Sequence, residues 1–329
     1  MSIFRAIMFI LVLGFSFLAT YAIEKLIIPL LSSRAKQPIY SDGPAWHQSK
    51  SGTPTMGGIA FVVAVTACLL VSSLSLYLSG ERNDSVSLLV AVIFCFFNSV
   101  IGMIDDMTKI RRKQNAGLTP MQKIVLQTIF AVIFIFSRQV YLGDDTYITL
   151  PFAEFDAGLF YYPFALIIIL GIVNCANLTD GIDGLAGCVA FALSSVFFFV
   201  SAQSSISTAL IALSSMGGIL GFLIFNINPA KIFMGDTGSL FLGAVAVSLA
   251  FSFNAVTFII PAGIVYVLEG ISVIAQVAFF KLTKKRIFKM APVHHHLEKS
   301  GWSENKICVV AVITTIISSV LFCGMLKII

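Results

Sequence analysis

Residues 56–78 read MGGIAFVVAVTACLLVSSLSLYL, a stretch that contains no charged side chain. A transmembrane helix needs about 20 predominantly apolar residues to cross a hydrocarbon layer of about 30 Å. This stretch is long enough, and it exceeds the usual length of a buried strand. It is therefore predicted to cross a bilayer as one helix.

The same pattern recurs along the whole 329-residue chain. Hydrophobic residues make up 58% and charged residues 11% of it, whereas soluble domains are about 45–50% apolar and about 25% charged. The apolar N-terminal run continues without a cleavage site, so it is predicted to be a first span and not a signal peptide. The predicted spans cover residues 3–31, 56–78, 86–104, 122–142, 160–177, 185–202, 206–225, 238–253, 256–280 and 307–328. We predict one all-α integral membrane domain over residues 1–329, with no nucleic-acid partner.

Positive charge predicts the orientation of these spans. Of the 21 Lys and Arg residues, sixteen lie in or beside one set of alternate loops. That set comprises the loops near 32–55, 105–121, 176–184, 226–237 and 281–306. Short loops rich in Lys and Arg stay cytoplasmic, so this set is predicted to face the cytoplasm and both termini to face outward. On the outer side, residues 143–159 alternate polar and apolar residues around a proline, which predicts a small β-hairpin.

A pair of carboxylates ends the third predicted span on the cytoplasmic side. Asp105 and Asp106 are adjacent, and Lys109 follows them in the same motif, IGMIDDMTK. Adjacent carboxylates at a membrane boundary are costly unless a cation compensates them. Carboxylate oxygens together with substrate phosphates suit Mg²⁺. An ordinary solvated helix end explains an isolated Asp pair as well.

Two glycine-rich cytoplasmic segments carry further carboxylates. Residues 177–187 read NLTDGIDGLAG, in which capping of the next span accounts for Asp180 or Asp183 but not for both together with Asn177. Residues 226–239 read NINPAKIFMGDTGS and place Asp236 where the eighth span begins. A helix N-terminus with free N–H groups attracts phosphate, and Asp236 there could hold a bridging metal. Phe233 either stacks on a ligand or faces the membrane.

Three consecutive histidines, His294, His295 and His296, lie in a segment that reads MAPVHHHLEKSGW. Consecutive residues on regular structure point in different directions, so the triplet is a poor zinc site. One or two imidazoles are expected to contact phosphate while another packs. Glu269 lies inside the ninth span beside a glycine, where it is either a functional carboxylate or the mark of a kink.

The segment HQSKSGTPTMGG, residues 47–58, offers Lys50, Thr55 and free backbone amides without the spacing of a Walker A motif. It either contacts phosphate or caps the second span. All these groups lie at the predicted membrane–cytosol boundary: carboxylates, lysines, glycine-rich turns and imidazoles. Such a set of groups suits phosphoryl transfer between a soluble phosphate-bearing substrate and a lipid.

Six motifs together closely resemble those of the phospho-N-acetylmuramoyl-pentapeptide-transferase family, a branch of the polyprenyl-phosphate N-acetylhexosamine-1-phosphate transferases. The motifs are IGMIDDMTK, GLTPMQK, NLTDGIDGLAG, NPAKIFMGDTGSL, GTPTMGG and APVHHHLEKSGW. They extend from about residue 34 to residue 306. The Asp motifs resemble the whole superfamily, whereas the histidine segment and GTPTMGG resemble the muramoyl-pentapeptide branch.

The resemblance implies about ten transmembrane helices around a cytoplasmic-facing cleft, in a homodimer of the bacterial cytoplasmic (inner) membrane. It implies Mg²⁺-dependent transfer of phospho-MurNAc-pentapeptide from UDP-MurNAc-pentapeptide to undecaprenyl phosphate, which yields lipid I and UMP. Asp236 then corresponds to the Mg²⁺ ligand, and Asp105 and Asp106 to the catalytic pair. The resemblance assigns the uridine side to Asn177, Asp180, Asp183, Lys113 and Phe233. It assigns the remaining polar lining to Lys50, Thr55, Lys109, Asn226, His294, His295 and His296.

Other activities and another reaction route fit the same residues. Related branches transfer GlcNAc-1-phosphate to the same lipid, although the context of the histidines argues against that donor. A transporter using Glu269 and the Asp residues would place polar residues near the bilayer midplane on several helices, whereas here they concentrate in loops on one side. The transfer itself is either a single displacement or a two-step route through an acyl-phosphate on Asp105 or Asp106.

Overall fold

The computed structural model describes residues 3–34, 50, 52–112, 116–150, 152–254 and 256–325. Helices account for almost all of the regular structure. They are α1 (Ile3–Arg34), α2 (Gly58–Leu78), α3 (Arg82–Arg112), α4 (Pro120–Leu142), α5 (Tyr161–Thr179), α6 (Leu185–Ser201), α7 (Ile206–Asn226), α8 (Gly235–Ser252), α9 (Ile259–Ala262), α10 (Ile264–Thr283), α11 (Val293–Glu298) and α12 (Glu304–Met325). The predicted all-α membrane fold is confirmed.

Within the described ranges, nine helices are long and apolar enough to cross a membrane, and α6 is a shorter apolar helix at the place of the predicted sixth span. Two predicted boundaries were wrong. The predicted span 256–280 is divided between α9 and α10, which meet at Gly263. Helix α3 continues past residue 104 to Arg112, because Lys109, Arg111 and Arg112 in its last turn favour a helix C-terminus.

The predicted hairpin is confirmed between α4 and α5. Strand β1 (Tyr147–Leu150) pairs antiparallel with β2 (Ala153–Asp156), so that Tyr147 faces Asp156 and Leu150 faces Ala153. These four-residue strands lie at the end of the helices opposite the acidic motifs, in agreement with the alternation of the spans. The hairpin is therefore remote from the candidate site.

The first turn of α8 lies where α2, α3 and α8 meet, and glycines make that meeting possible. A Cβ atom on Gly102 would lie 2.1 Å from the carbonyl oxygen of Asp236, and one on Gly58 would lie 2.4 Å from the Cα of Gly238. Small residues at helix interfaces allow backbones to approach closely in membrane proteins. The packing thus brings the acidic end of α3 against the N-terminus of α8.

Candidate active site

Asp106 joins α3 to the N-terminus of α8. Its Oδ1 accepts a hydrogen bond from the backbone N–H of Asp236 at 3.1 Å, and its Oδ2 accepts from the N–H and Oγ1 of Thr237 at 2.9 Å and 2.7 Å. The first N–H groups of a helix lack intrahelical partners and carry partial positive charge. The buried Asp106 carboxylate therefore satisfies these donors and fixes the register of the two helices.

Two lysines bridge the other two carboxylates of the cluster. Lys109 Nζ lies 2.7 Å from Asp105 Oδ2 and 3.2 Å from Asp236 Oδ1. Lys123 Nζ lies 3.1 Å from Asp105 Oδ2 and 2.5 Å from Asp236 Oδ2. Sequence reasoning did not select Lys123, although it lies in the GLTPMQK motif at the predicted cytoplasmic start of a span. This position, in a quoted motif and on the same side as the acidic motifs, is the sequence feature that could have identified it.

The turn before α4 fixes both Lys123 and Asp105. Thr119 caps α4 through a reciprocal capping box with Gln122, which places Lys123 in the first turn of the helix. The N–H of Leu118 donates to Asp105 Oδ1 at 2.6 Å. A Cβ on Gly117 would lie 2.2 Å from that same oxygen, so only glycine lets the turn approach the carboxylate this closely.

The residues of this cluster fit a divalent cation by donor type. Asp105, Asp106 and Asp236 each offer a carboxylate oxygen, and these oxygens lie within 4.8 Å of one another. An all-oxygen donor set suits Mg²⁺ better than softer metals. The two lysines offset only part of the negative charge of three carboxylates, which leaves the cluster able to attract a further cation.

The NLTDGIDGLAG segment reaches this cluster from α5. The side-chain amide of Asn177 donates to Ser239 Oγ on α8 at 2.7 Å. Asp180 follows α5 directly, and burial together with the nearby charges of Asp236 and Asp106 raises its pKa to about 8. Asp180 is therefore a neutral acid at neutral pH beside the carboxylate cluster.

A second network surrounds Asp183. Lys50 Nζ lies 2.7 Å from Asp183 Oδ1 and 2.8 Å from the carboxylate of Glu304. The other oxygen of Asp183 accepts hydrogen bonds from Asn228 Nδ2 at 3.1 Å and from the N–H of Ala230 at 3.0 Å. Burial alone would lower the pKa of Lys50, but the hydrogen bonds to both carboxylates raise it.

Glu304 was missed by sequence reasoning, because an acidic residue in the first turn of α12 is fully explained as a helix-terminal charge. In the structure it accepts the N–H of Asp183 at 2.7 Å as well as binding Lys50. This network joins the turn after α5 to the start of α12. Asp183 and Lys50 are thus held in place by their mutual ion pair and by neighbouring groups of the protein.

Asn226, Phe233 and Thr55 connect the turn before α8 to its neighbours. The side chain of Asn226 accepts the N–H of Gly184 at 3.1 Å and donates to the carbonyl of Ile232 at 2.8 Å. The backbone of Phe233 pairs with Pro54 and Gly57 at 2.8 Å and 2.9 Å. Thr55 is buried beside Gly235, whose φ of 71° requires glycine.

The three histidines have three different environments. His294 is only 1% exposed, and its backbone N–H donates to both carboxylate oxygens of Glu269, each at 3.3 Å. His295 Nδ1 lies 2.6 Å from Glu298 Oε2. His296 Nδ1 accepts the N–H of Lys289 at 3.1 Å. His294 is the imidazole that packs.

The structure thus gathers the predicted residues into three neighbouring groups, one around the α8 N-terminus, one around Asp183 and one around the histidines. It places Asp105, Asp106, Lys109 and Asp236 in one cluster. Lys113 lies outside the described residues. The functional roles expected of these side chains remain predictions.

Comparison with known proteins identifies relatives that match over most of the chain. Residues 85–254 match the family model described as glycosyl transferase family 4, and residues 50–62 match phospho-N-acetylmuramoyl-pentapeptide-transferase signature 1. The chain is 41% identical over 300 residues to a phospho-N-acetylmuramoyl-pentapeptide-transferase of Bacillus cytotoxicus, covering 90% of this chain and 91% of the relative. A protein of the same name from Bacillus thuringiensis is 41% identical over 302 residues, with the same shares covered.

Proposed function

The chain belongs to the phospho-N-acetylmuramoyl-pentapeptide-transferase family of glycosyl transferases, and we propose that it performs the transfer for which that family is named. The donor is UDP-MurNAc-pentapeptide, the acceptor is undecaprenyl phosphate, and the products are lipid I and UMP. This is the first membrane step of peptidoglycan synthesis. The lysine-bridged pair Asp105 and Asp236 beside the α8 N-terminus is the observation that supports it most strongly.

Phosphoryl transfer depends on holding charged oxygens in line more than on covalent chemistry by the protein. Lys109 and Lys123 supply two ammonium groups within 3.2 Å of the carboxylates that flank them. We propose that these ammonium groups turn to the diphosphate of the donor when it binds. The N-terminus of α8 adds partial positive charge at the same place.

The acceptor phosphate needs little activation. A phosphate monoester has a second pKa near 6, so it is largely a dianion at neutral pH. In a single displacement, its oxygen forms a bond to the β-phosphorus, which carries the sugar. The bond from that phosphorus to the bridging oxygen breaks, and UMP leaves with the electron pair. We propose that Asp105 chiefly orients the acceptor.

We propose that Mg²⁺ is held by Asp236, with Asp105 as its neighbour. When bound, it neutralises charge on the phosphates. Asn177, Asp180, Asp183, Lys113 and Phe233 are assigned by resemblance to the uridine side of the donor. A neutral Asp180 could donate a hydrogen bond there without repelling the nearby carboxylates.

The function is tested by UMP release from purified protein in detergent. Undecaprenyl phosphate and Mg²⁺ are supplied with either UDP-MurNAc-pentapeptide or UDP-GlcNAc, each with an EDTA control. We expect lipid-dependent and metal-dependent release from the first donor alone. Release only from UDP-GlcNAc would assign the chain to the sister activity, and no release by folded protein from either donor would refute the transferase assignment.

The two possible routes are separated at Asp105. Asp105→Asn is expected to lower turnover by at least about 100-fold on either route, because the carboxylate positions the reaction. The wild-type protein is then incubated with donor and no acceptor, and the chain is analysed by mass spectrometry. An aspartate that carries the phospho-MurNAc-pentapeptide group, with one UMP released per chain, would establish the two-step route and refute the single displacement.

We also propose a homodimer in the bacterial cytoplasmic membrane, with the active site on the cytoplasmic side and both termini outward. The charge distribution of the loops supports this orientation. Labelling of single cysteines introduced at the exposed residues Ser79 and Ser300 with an impermeant maleimide tests it in intact cells. The cysteine at residue 79 is expected to react from outside and the one at residue 300 only after permeabilisation.

A further inference from the structure

We propose that Glu269 is a positioning residue for the transferase reaction and that it acts through His294. In this inference, which rests on the proposed function, Glu269 holds the histidine helix α11 against the turn that carries Asp180 and Asp183. Neither the resemblance nor the family match assigns a role to Glu269. The evidence is a continuous line of contacts from α10 through the His294 ring to that turn.

The first contact joins Glu269 to His294. Both oxygens of the carboxylate lie 3.3 Å from the N–H of His294, in the first turn of α11. Its Oε2 also lies 3.2 Å from His294 Nδ1, an electrostatic contact without the alignment of a hydrogen bond. A carboxylate at this distance favours a proton on Nδ1 and repels a lone pair there. Glu269 therefore satisfies an N-terminal donor of α11 and orients the imidazole.

The second contact joins His294 to the turn. A Cβ atom on Gly181 would lie 2.1 Å from His294 Nε2, so the ring rests directly on the glycine backbone between Asp180 and Asp183. Nε2 is buried and has no hydrogen-bond partner in the part of the chain that the structure describes. A change in the ring's orientation would thus be transmitted to both flanking carboxylates.

A helix kink does not account for Glu269. Helix α10 runs from Ile264 to Thr283 without interruption. Gly270 has its own explanation, because a Cβ there would lie 2.2 Å from the Sγ of Cys175 on α5. Carboxylates inside membrane-spanning helices are expensive and are expected to face a specific partner. His294 is that partner.

Glu24 offers a matched control in the same protein. It is a fully buried glutamate inside the membrane-spanning part of α1. Neither of its oxygens has a hydrogen-bond partner among the described residues, and it makes none of the contacts of the site. Glu24→Gln therefore removes a buried intramembrane carboxyl without touching the histidine helix. Glu269→Gln removes the same group from the contact with His294.

The experiment measures kcat for UMP release and the melting temperature of the full-length protein in detergent. Glu269→Gln is expected to lower kcat about 10-fold to 100-fold, because small displacements of reacting groups cost up to about 100-fold. Glu24→Gln is expected to stay within twofold of the wild type. Two further variants identify the atom. His294→Asn keeps a donor at the Nδ1 position, whereas His294→Gln keeps a group only at the Nε2 position.

We expect His294→Asn to retain more activity than His294→Gln, and Glu269→Gln to cost less than about threefold when added to His294→Gln. Non-additivity of this kind is the mark of two residues that act through one contact. Equal effects of the two His294 variants with an additive double variant would overturn the inference, as would losses that follow the melting temperature. Inactive wild-type protein would instead refute the proposed function.

Discussion

Gly102→Ala tests whether the contact between α3 and α8 organises the reaction. The added Cβ would lie 2.1 Å from the carbonyl oxygen of Asp236, where ordinary contact begins at 3.4 Å. The backbones must therefore separate by about 1.3 Å, since both atoms nearest the new methyl group belong to the backbone of Asp236. The hydrogen bonds from Asp236 and Thr237 to Asp106, now 2.7 Å to 3.1 Å, would lengthen past their useful range.

Each hydrogen bond to a charged group contributes about 1.5–3 kcal/mol, so loss of the two that the backbone N–H groups of Asp236 and Thr237 donate would by itself lower the free energy of unfolding by about 3–6 kcal/mol. The displacement would also lower kcat about 100-fold. Gly171→Ala is the control, because α5 has open space where its Cβ would be placed. Both variants are assayed for UMP release and thermal unfolding in detergent. If Gly102→Ala kept kcat within twofold of Gly171→Ala, the α3–α8 contact would not position the site.

Three further changes test the electrostatics and packing of the site. Lys123→Met removes a positive charge from the carboxylate cluster. Mg²⁺ is therefore expected to raise the melting temperature at lower Mg²⁺ concentrations than in the wild type. The same variant should lower kcat at least about 10-fold. The pKa of Asp180 is raised to about 8, so its stabilising contribution is complete below about pH 4 and is lost as the pH rises through 8. Asp180→Asn should remove that decline from the pH profile of thermal unfolding. Gly181→Ala should displace the His294 ring and lower kcat at least about 10-fold, whereas an unchanged kcat would contradict the described contact.

The membrane-spanning helices could be predicted from sequence because the bilayer imposes a simple length and composition rule. The rule identifies apolar segments but not where a helix stops. It therefore missed the extension of α3 through Lys109, which puts this lysine one turn from Asp105 on a helix and not in a loop. It also missed the break at Gly263.

Most residues of the candidate site could be selected from the sequence, but the contacts among them could not. The Asp and His motifs are recognisable because each is locally unusual in a hydrophobic chain. Lys123 and Glu304 looked like ordinary charges near helix ends, since their partners Asp236 and Asp183 are more than 100 residues away in sequence. Only the packing of helices brings such pairs together, so no local pattern distinguishes them from solvated residues.

The adjacent carboxylates Asp105 and Asp106 illustrate why contacts decide roles. Both oxygens of Asp106 already accept hydrogen bonds from the first turn of α8, which leaves this carboxylate committed to positioning that helix. One oxygen of Asp105 accepts a hydrogen bond from the N–H of Leu118, and the other faces Lys109 and Lys123. A group facing mobile lysine ends can exchange them for a phosphate or a cation, whereas a group that holds a helix terminus cannot move without dismantling it. Of the two neighbours, we therefore expect Asp105 and not Asp106 to take part in the transfer.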